Sequence, residues 1–393
     1  AVYSSSNGLE KRPKLRFPGF DESYRTTPLG EIASLVNRTD PKSNAPIMML
    51  SAGNGFIMQS EKYSRDNAGQ SLKKYILLKQ GELAYNHGAS KAKQFGCCYE
   101  LTEPEARIPY VYHCFKINDH EYTPFIAMAL NNAKMDKQLK RLVSSSVRMD
   151  GLLNISFEDY MSVTLHLPSS TEQKHIADFL KKIDERIAAQ EKLLASLKKY
   201  KRGLVKALIS GTVAFACSEN KRWETVRLAE IFTISAGGDI DRQNSSPTYS
   251  TSYPYPVYAN ALTNNGLYGY ANYFKVEGDS ITVSGRGEVG HAIARHCKYV
   301  PIVRLLSLVP KYEDDVDFFA YMINATSIYI ESTGVPQLTS PQLGAVKVFR
   351  PPILEQKRIS SLLLKIDAKI ENEERLTFYL EKIRSSMLQQ LFI

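Results

Sequence analysis

The chain has 393 residues, 43% hydrophobic and 23% charged, so it is long enough for two or three domains and its composition excludes bulk disorder. Lysine and arginine exceed aspartate and glutamate by 50 to 41, and the formal net charge of +9 favours a partner that carries phosphate groups. No apolar run approaches the ~18 residues of a membrane span. This predicts a chain without membrane contact. Five cysteines without a C-x-x-C pair predict a reduced, cytoplasmic chain.

Residues 13–168 are predicted to form a first globular domain of mixed helix and strand. Short runs at 75–78 and 82–85 have strand composition around Gly81, and 165–167 is a last strand. The apolar spacing of residues 125–142 predicts one helix.

Residues 169–210 are predicted to form a long helix of roughly 60 Å, at about 1.5 Å per residue. Ser169 and Glu172 have the spacing of a capping box, and Ser210 with Gly211 ends the helix. Apolar residues alternate four and three apart, which indicates a seam between two paired helices, whereas a buried core helix is the alternative. The predicted seam residues are Ile176, Leu180, Ile183, Ile187, Gln190, Leu194 and Leu197.

The second half of the chain repeats the first. After a linker at 211–222, a second domain at 223–351 precedes a second long helix at 352–393, which copies the first at an offset of 355 − 172 = 183. If the helices pair antiparallel, Gln190 and Glu373 are expected to meet near the middle. The second set of seam residues is Ile359, Leu363, Ile366, Ile370, Glu373 and Leu380.

The two domains share framework positions but differ in their loops. The divergent stretches include residues 86–93 and the segment that leads into 284–287. Amide, hydroxyl, aromatic and cationic side chains on loops are the groups that contact bases and phosphates. The predicted DNA-binding residues are Asn86, Ser90, Lys91, Lys93, Ser284, Arg286, Tyr268, Lys42 and Arg242.

Two motifs resemble cofactor or metal sites. Residues 285–290 read GRGEVG, a dinucleotide fingerprint, but the following residues favour the return strand of a hairpin over a phosphate-binding helix. His291, His296 and Cys297 are close in sequence without a second ligand cluster. We therefore predict no metal, no cofactor on this chain and no catalytic residue.

The order domain, helix, domain, helix resembles the specificity subunit of type I restriction-modification enzymes. The resemblance rests on Pro168 followed by EQK-x-I at 172–176, on its copy at 351–366, and on LRFPGF at 15–20. It implies an α+β fold in which two similar target recognition domains, separated by two long helices in an antiparallel coiled coil, form a pseudo-two-fold internal repeat. Each domain would read one half of a bipartite double-stranded DNA target.

The same resemblance implies partners. Two modification subunits would carry adenine methyltransferase chemistry, and restriction subunits would join them, so that the complex uses S-adenosylmethionine, ATP and Mg. The chain itself would be non-catalytic. One alternative is a coiled-coil scaffold with two protein-binding domains, and another is a methyltransferase with an unrecognised site.

Overall fold

The computed structural model describes residues 12–62, 69–91, 93–143, 153–209, 223–326, 328 and 337–393. The chain divides into two compact units, Ala1–Gln190 with Leu376–Ile393, and Glu191–Arg375. Each unit contains one globular domain and one part of each long helix. The predicted linker at 211–222 and the predicted helix end at Ser210 and Gly211 lie outside the described residues. Among the described helices, none has the length and apolar character needed to cross a membrane.

The described residues of the first domain form ten short strands and five short helices. The helices are α1 (Leu29–Ile32), α2 (Gln59–Lys62), α3 (Thr123–Leu130), α4 (Ala133–Leu142) and α5 (Phe157–Met161), with a 3-10 turn at Gly69–Lys74. The strands are β1 (Arg25–Pro28), β2 (Ala33–Leu35), β3 (Met48–Ser51), β4 (Gly55–Met58), β5 (Ile76–Lys79), β6 (Leu83–Asn86), β7 (Cys97–Glu100), β8 (Glu105–Ile108), β9 (His113–Ile117) and β10 (Thr164–Leu167). Strands β1 and β10 pair antiparallel, β2-β9-β6-β7 form a four-stranded sheet, and β3-β4 and β5-β8 are two-stranded.

The long helix α6 (Ser170–Ile209) leads to the second domain, and α10 (Ile353–Leu391) closes the chain. The helices between them are α7 (Leu228–Ile231), α8 (Val316–Ala325) and α9 (Ser340–Gly344), with a 3-10 turn at Thr263–Gly266. The strands are β11 (Glu224–Arg227), β12 (Phe232–Ala236), β13 (Ser245–Ser246), β14 (Tyr255–Tyr258), β15 (Leu267–Ala271), β16 (Ser280–Val283), β17 (Ala292–Arg295), β18 (Val300–Pro301), β19 (Leu306–Pro310) and β20 (Lys347–Arg350).

The second domain shares part of the topology of the first. Its end strands β11 and β20 pair antiparallel as β1 and β10 do, and its sheet β12-β19-β16-β17 has the connectivity of β2-β9-β6-β7. The second domain also has a further sheet, β13-β15-β14-β18. The internal repeat predicted from the sequence is therefore confirmed in the fold.

A glutamine at the start of each long helix makes the same contacts in both copies. In the first unit, Gln173 Oε1 accepts from the backbone N–H of Tyr122 at 2.9 Å, and its Nε2 donates to Pro168 O at 3.0 Å. In the second unit, Gln356 accepts from a backbone N–H at 2.8 Å and donates to Pro351 O at 2.8 Å. Because backbone groups are bound on both sides, each glutamine fixes its helix to its own domain.

The helix predicted over 125–142 is wrong, because the chain breaks between α3 and α4. The side chain of Asn132 accepts from the N–H groups of Lys134 and Met135, both at 2.9 Å, and so caps α4. Asn131 accepts from the N–H of Cys98 at 3.1 Å and donates back to its carbonyl, which holds strand β7. In the second domain, Asn324 binds Ala292 in the same two ways, at 2.8 Å each.

The two long helices run antiparallel within each unit. In the second unit Lys198 pairs with Glu374 at 2.6 Å. Three residues further along α6, Lys201 pairs with Asp367, which lies earlier on α10. In the first unit, Asp184 pairs with Arg384.

The ion pair of the first unit is the repeat equivalent of one in the second. Asp184 corresponds to Asp367, because 367 − 184 = 183. Arg384 corresponds to Lys201, because 384 − 201 = 183. The sequence repeat is thus also a repeat of contacts.

The predicted capping box at the start of α6 is only half formed. The Oγ of Ser169 accepts from the N–H of Glu172 at 3.4 Å. The carboxylate of Glu172 accepts two hydrogen bonds from Arg16, both at 2.8 Å, and one from Tyr24 at 3.3 Å. Glu172 is fully buried. Its carboxylate binds Arg16, which is distant in the sequence, and does not cap its own helix.

Candidate nucleic-acid interface

The two loops predicted to contact DNA, called the reading loops below, lie at equivalent places in the two domains. Residues 87–96 connect β6 to β7, and residues 284–291 connect β16 to β17. Both pairs of strands are antiparallel hairpins, with Asn86 opposite Cys97 and Val283 opposite Ala292. The prediction that residues 285–290 belong to a hairpin is confirmed, since a strand and not a helix follows them.

Several side chains of the first loop are bound within the protein. Asn86 Oδ1 accepts from the N–H of Gly88 at 2.9 Å, and Ser90 Oγ accepts from the N–H of Lys93 at 3.0 Å. The ammonium of Lys93 donates to the carbonyl of Asn131 at 2.7 Å. These contacts favour structural roles for Asn86 and Lys93, whereas Lys91 is exposed at the tip.

Two stacked histidines hold the base of this loop, and sequence reasoning missed them. His87 is buried, and its ring nitrogens lie 2.8 Å from Leu153 O and 2.9 Å from Val111 O. The ring of His113 stacks on it at 5.0 Å and binds Ile155 O at 2.9 Å. Burial lowers the pKa of His113, although its backbone hydrogen bond opposes that shift. The isolated histidines gave no sequence signal of this stacking.

In the second loop the structure separates two predicted residues. Ser284 is buried and its hydroxyl donates to the carbonyl of Glu288 and accepts from the N–H of His291 at 3.0 Å, so it shapes the loop. Arg286 is exposed and its guanidinium donates to Gln337 Oε1 at 3.0 Å. Of the two, only Arg286 is placed to meet a ligand.

The remaining predicted contacts are on other parts of the surface. Tyr268 projects from β15 with 60% of its surface exposed, and Arg242 and Lys42 are also exposed. The backbone N–H of Lys42 donates to Asp40 at 2.9 Å. These three side chains stay predictions.

A further arginine near these loops does not face a ligand. Arg295 is buried, with its guanidinium 3.7 Å from the ring centre of Tyr258. It donates to Thr282 Oγ1 at 3.0 Å and to Asn265 O at 2.7 Å. Burial lowers the pKa of this guanidinium, although the facing Tyr258 hydroxyl opposes the shift. The guanidinium of Arg295 therefore holds the 259–266 loop through its hydrogen bond to Asn265.

The predicted seam residues fall into two groups. Those in the first turns of each helix, Ile176 and Leu180 on α6 and Ile359 and Leu363 on α10, are in the hydrophobic cores of the two domains. Further along, Gln190 is 3% exposed and Ile370 is buried. The other predicted seam residues are partly buried, and these are Ile183, Ile187, Leu194, Leu197, Ile366, Glu373 and Leu380. The two predicted environments, core and helix seam, therefore occupy different stretches of the same helices, and the meeting of Gln190 with Glu373 stays a prediction.

One histidine of the group His291, His296 and Cys297 is engaged in ion pairs. His296 Nδ1 lies 2.9 Å from Asp279 and Nε2 lies 3.1 Å from Asp317. Burial lowers the pKa of His296, but the hydrogen bond to Asp279 and the charge of Asp317 outweigh it and raise the pKa. Within the ranges that the structure covers, no three His, Cys, Asp or Glu side chains are grouped as a metal site.

Comparison with known proteins places the chain in a family. The family described as Type I restriction modification DNA specificity domain matches residues 73–199 and 220–382. A curated Mycoplasma pneumoniae protein named as a type I specificity subunit is 28% identical over 204 residues, which are 51% of this chain and 54% of that protein. The matches cover 54%, 42% and 65% of the first three curated relatives, so this chain spans about two fifths to two thirds of their lengths.

Two solved structures share the fold. The S subunit of a type I restriction-modification system from M. genitalium superposes with a TM-score of 0.62 at 16% identity, over 97% of this chain and 99% of that one. A chain from a structural study of complex assembly and conformational transition of the type I R-M system gives 0.57 at 15% identity, over 95% and 98%. The two matched ranges together cover more than half of the sequence. The chain therefore belongs to the family of type I restriction modification DNA specificity domains.

Proposed function

We propose that this chain is the sequence-specific DNA-binding subunit of a type I restriction-modification complex. Each globular domain reads one half of a bipartite double-stranded target, and the helices set the spacing. The observation that carries the proposal is the duplicated framework: Gln173 and Gln356 make the same contacts, as do Asn131 and Asn324. Between these repeated contacts, the equivalent hairpin loops carry different side chains.

Two readers with one framework and different loops suit a target with two different halves. Binding residues are disproportionately found on loops that a rigid scaffold positions. The exposed cations Lys91 and Arg286 lie on equivalent loops, and the net charge of +9 supports binding to a phosphate backbone. The family to which the chain belongs supports the same conclusion.

The test is the salt dependence of DNA binding by the full-length chain, alone and with its modification subunits. Affinity for double-stranded DNA should fall steeply as salt rises, with a slope of about −0.9 in log K against log salt for each phosphate contacted. The alternative, a coiled-coil scaffold with two protein-binding domains, predicts weak binding without such a slope. A slope near zero for both preparations would favour the scaffold.

The catalytic chemistry is proposed to reside on partner subunits. Two modification subunits would transfer a methyl group from S-adenosylmethionine to adenine, and restriction subunits would use ATP and Mg. This chain would supply only the recognition of the DNA sequence. The solved chain from the study of complex assembly supports partners for that protein.

Each long helix carries an exposed apolar stripe suited to a partner. On α6, Leu193 is 42% exposed and is followed seven residues later by the exposed Tyr200. On α10, Leu376 is 38% exposed and Ile383 follows at the same spacing. The two stripes are repeat equivalents, because 376 − 193 and 383 − 200 both equal 183. A duplicated stripe is what two identical modification subunits would need.

The stripes predict the number of subunits bound. Changing Tyr200→Glu or Ile383→Glu should each release one modification subunit, because a buried carboxylate opposes docking on an apolar stripe. The double variant should release both. Native mass spectrometry of the purified complex counts the subunits, and Lys192→Glu, at an exposed position on α6, is the control for an added negative charge. Retention of both subunits by the double variant would contradict the assignment.

A further inference from the structure

One exposed turn of the second domain has a backbone conformation that its side chains disfavour. Val303 and Arg304 lie between β18 and β19, with φ of 52° and 60°. The N–H of Leu305 donates to Ile302 O at 3.0 Å, which closes a turn of the I′ form around them. Asparagine and glycine usually occupy these central positions, and a β-branched valine there is an outlier.

The surrounding backbone forces this conformation. The N–H of Val303 donates to Gly238 O at 2.8 Å, and that of Arg304 donates to Gly237 O at 2.9 Å. A Cβ added to Gly237 would lie 2.6 Å from the carbonyl carbon of Pro301, so glycine is required for the approach. The turn is therefore fastened along its whole length to the 237–238 segment.

Asn260 joins this turn to the second reading loop. Its Nδ2 donates to the carbonyl of Val303, while its Oδ1 accepts from the N–H of Gly285 at 2.8 Å. Gly285 is itself close to the turn, because a Cβ there would lie 2.8 Å from the carbonyl oxygen of Arg304. Three loops, at 259–266, 284–290 and 302–305, thus form one rigid cluster in the second domain.

Packing does not explain the conformation, because both side chains point into solvent. Val303 is 47% exposed and Arg304 is exposed. In the described part of the chain, the guanidinium of Arg304 has no hydrogen-bond or ion-pair partner. Arg286, on the neighbouring loop, is by contrast bound to Gln337 at 3.0 Å. Backbone strain that is kept for exposed side chains is typical of a binding site.

We infer that Arg304 reads a guanine in the half-site that the second domain recognises, with Val303 in apolar contact beside it. This inference rests on the proposed DNA-binding function. An arginine donates two parallel hydrogen bonds to O6 and N7 of guanine in the major groove, and a small apolar side chain suits a thymine methyl. A rigid turn presents both side chains with little ordering cost when DNA binds.

The test compares the DNA sequences that wild-type and variant chains select. The full-length chain, alone and with its modification subunits, is mixed with a pool of randomised double-stranded DNA, and the bound fraction is sequenced. In Arg304→Ala, the preference for one G·C pair should fall by about 5- to 150-fold, while the other half-site is unchanged. Arg304→Gly should lose the same preference, and because glycine accepts positive φ it guards against a folding defect.

Two further variants separate base reading from charge. Arg304→Lys keeps the charge but not the two parallel donors, so it should recover affinity without recovering the full preference. Arg358→Ala removes an equal charge from an exposed position on α10 and should leave every base preference intact. Uniform weakening on all sequences by Arg304→Ala would identify a phosphate contact and overturn the inference.

The outcomes distinguish a failure of the inference about Arg304 from a failure of the proposed DNA-binding function. If the wild-type chain selects a two-part sequence and both the alanine and glycine variants select it with the same preferences, the inference about Arg304 is wrong and the proposed function stands. If neither wild-type preparation selects any sequence, the proposed function fails and the inference fails with it.

Discussion

Replacing Arg16 by alanine is expected to lower the free energy of unfolding of the first unit by about 3–5 kcal/mol, because it leaves the carboxylate of Glu172 buried without its cation. The side chain of Glu172 is 1% exposed, and the guanidinium of Arg16 binds both of its oxygens at 2.8 Å. The hydrogen bond to Glu172 also raises the pKa of Arg16, in spite of partial burial. Tyr24, at 3.3 Å, donates one neutral hydrogen bond and cannot replace the charge.

Hydrogen exchange of amides in the first unit, measured at increasing urea concentrations, gives this loss of unfolding free energy. The matched control is Lys116→Ala, which removes an exposed pair with Asp119 at 3.4 Å and should cost less than about 1 kcal/mol. The double variant Arg16→Met with Glu172→Leu removes both charges and should recover most of the stability. A loss below about 1 kcal/mol for Arg16→Ala would show that the buried pair does not hold the helix to its domain.

This ion pair explains why two distant stretches of sequence act together. The opening LRFPGF contributes Arg16, and Phe17 packs on Phe179 at 5.5 Å while Phe20 packs on His175 at 5.4 Å. The EQK stretch contributes Glu172. Both stretches belong to the sequence resemblance to specificity subunits. Only the structure shows that they contact each other.

The repeat offset of 183 predicts much of the architecture, because a repeat can be found in the sequence without knowledge of any contact. It predicts two long helices, and these have 40 and 39 residues. It also aligns Gln173 with Gln356, whose identical hydrogen bonds confirm that the alignment has structural meaning. The helix break at Asn131 and Asn132 could not be predicted in this way, since apolar spacing continues across it.

Divergence between the domains indicated two loops that the structure places on equivalent hairpins, but it did not distinguish structural side chains from exposed ones. Asparagine and serine side chains bind nearby backbone in turns as readily as they bind bases. Asn86 and Ser284 do so here, and the sequence does not distinguish the two uses. The turn at Val303 and Arg304 has no glycine or asparagine, so nothing in its sequence indicates a left-handed backbone.

The central claim is that two domains read two half-sites at a spacing set by the long helices. Inserting three heptads into each helix, after Gln190 on α6 and after Arg375 on α10, keeps the phase of the seam and adds about 31 Å at 1.5 Å per residue. If the helix pair lies along the duplex, that length corresponds to about nine base pairs at 3.4 Å each, close to one DNA turn. This is about one base pair short of a full turn, so both domains would face nearly the same side of the DNA as before.

Two matched variants control for the insertion itself. A single heptad in each helix adds about 10 Å, or about three base pairs, and rotates the half-sites out of phase, so affinity should fall. A heptad in α6 alone lengthens one helix and not the other, so the pair of the first unit, Asp184 with Arg384, and those of the second, Lys198 with Glu374 and Lys201 with Asp367, cannot all stay in register. This variant should therefore be less stable than the wild type.

Sequencing the methylated sites of cells that express each variant with its modification subunits is the most direct measurement. For the wild-type chain the account predicts one two-part motif with an unread spacer of fixed length. For the three-heptad variant it predicts the same two half-sites with a spacer about nine base pairs longer. An unchanged spacer, a change in the bases of either half-site, or a continuous motif in the wild type would contradict it.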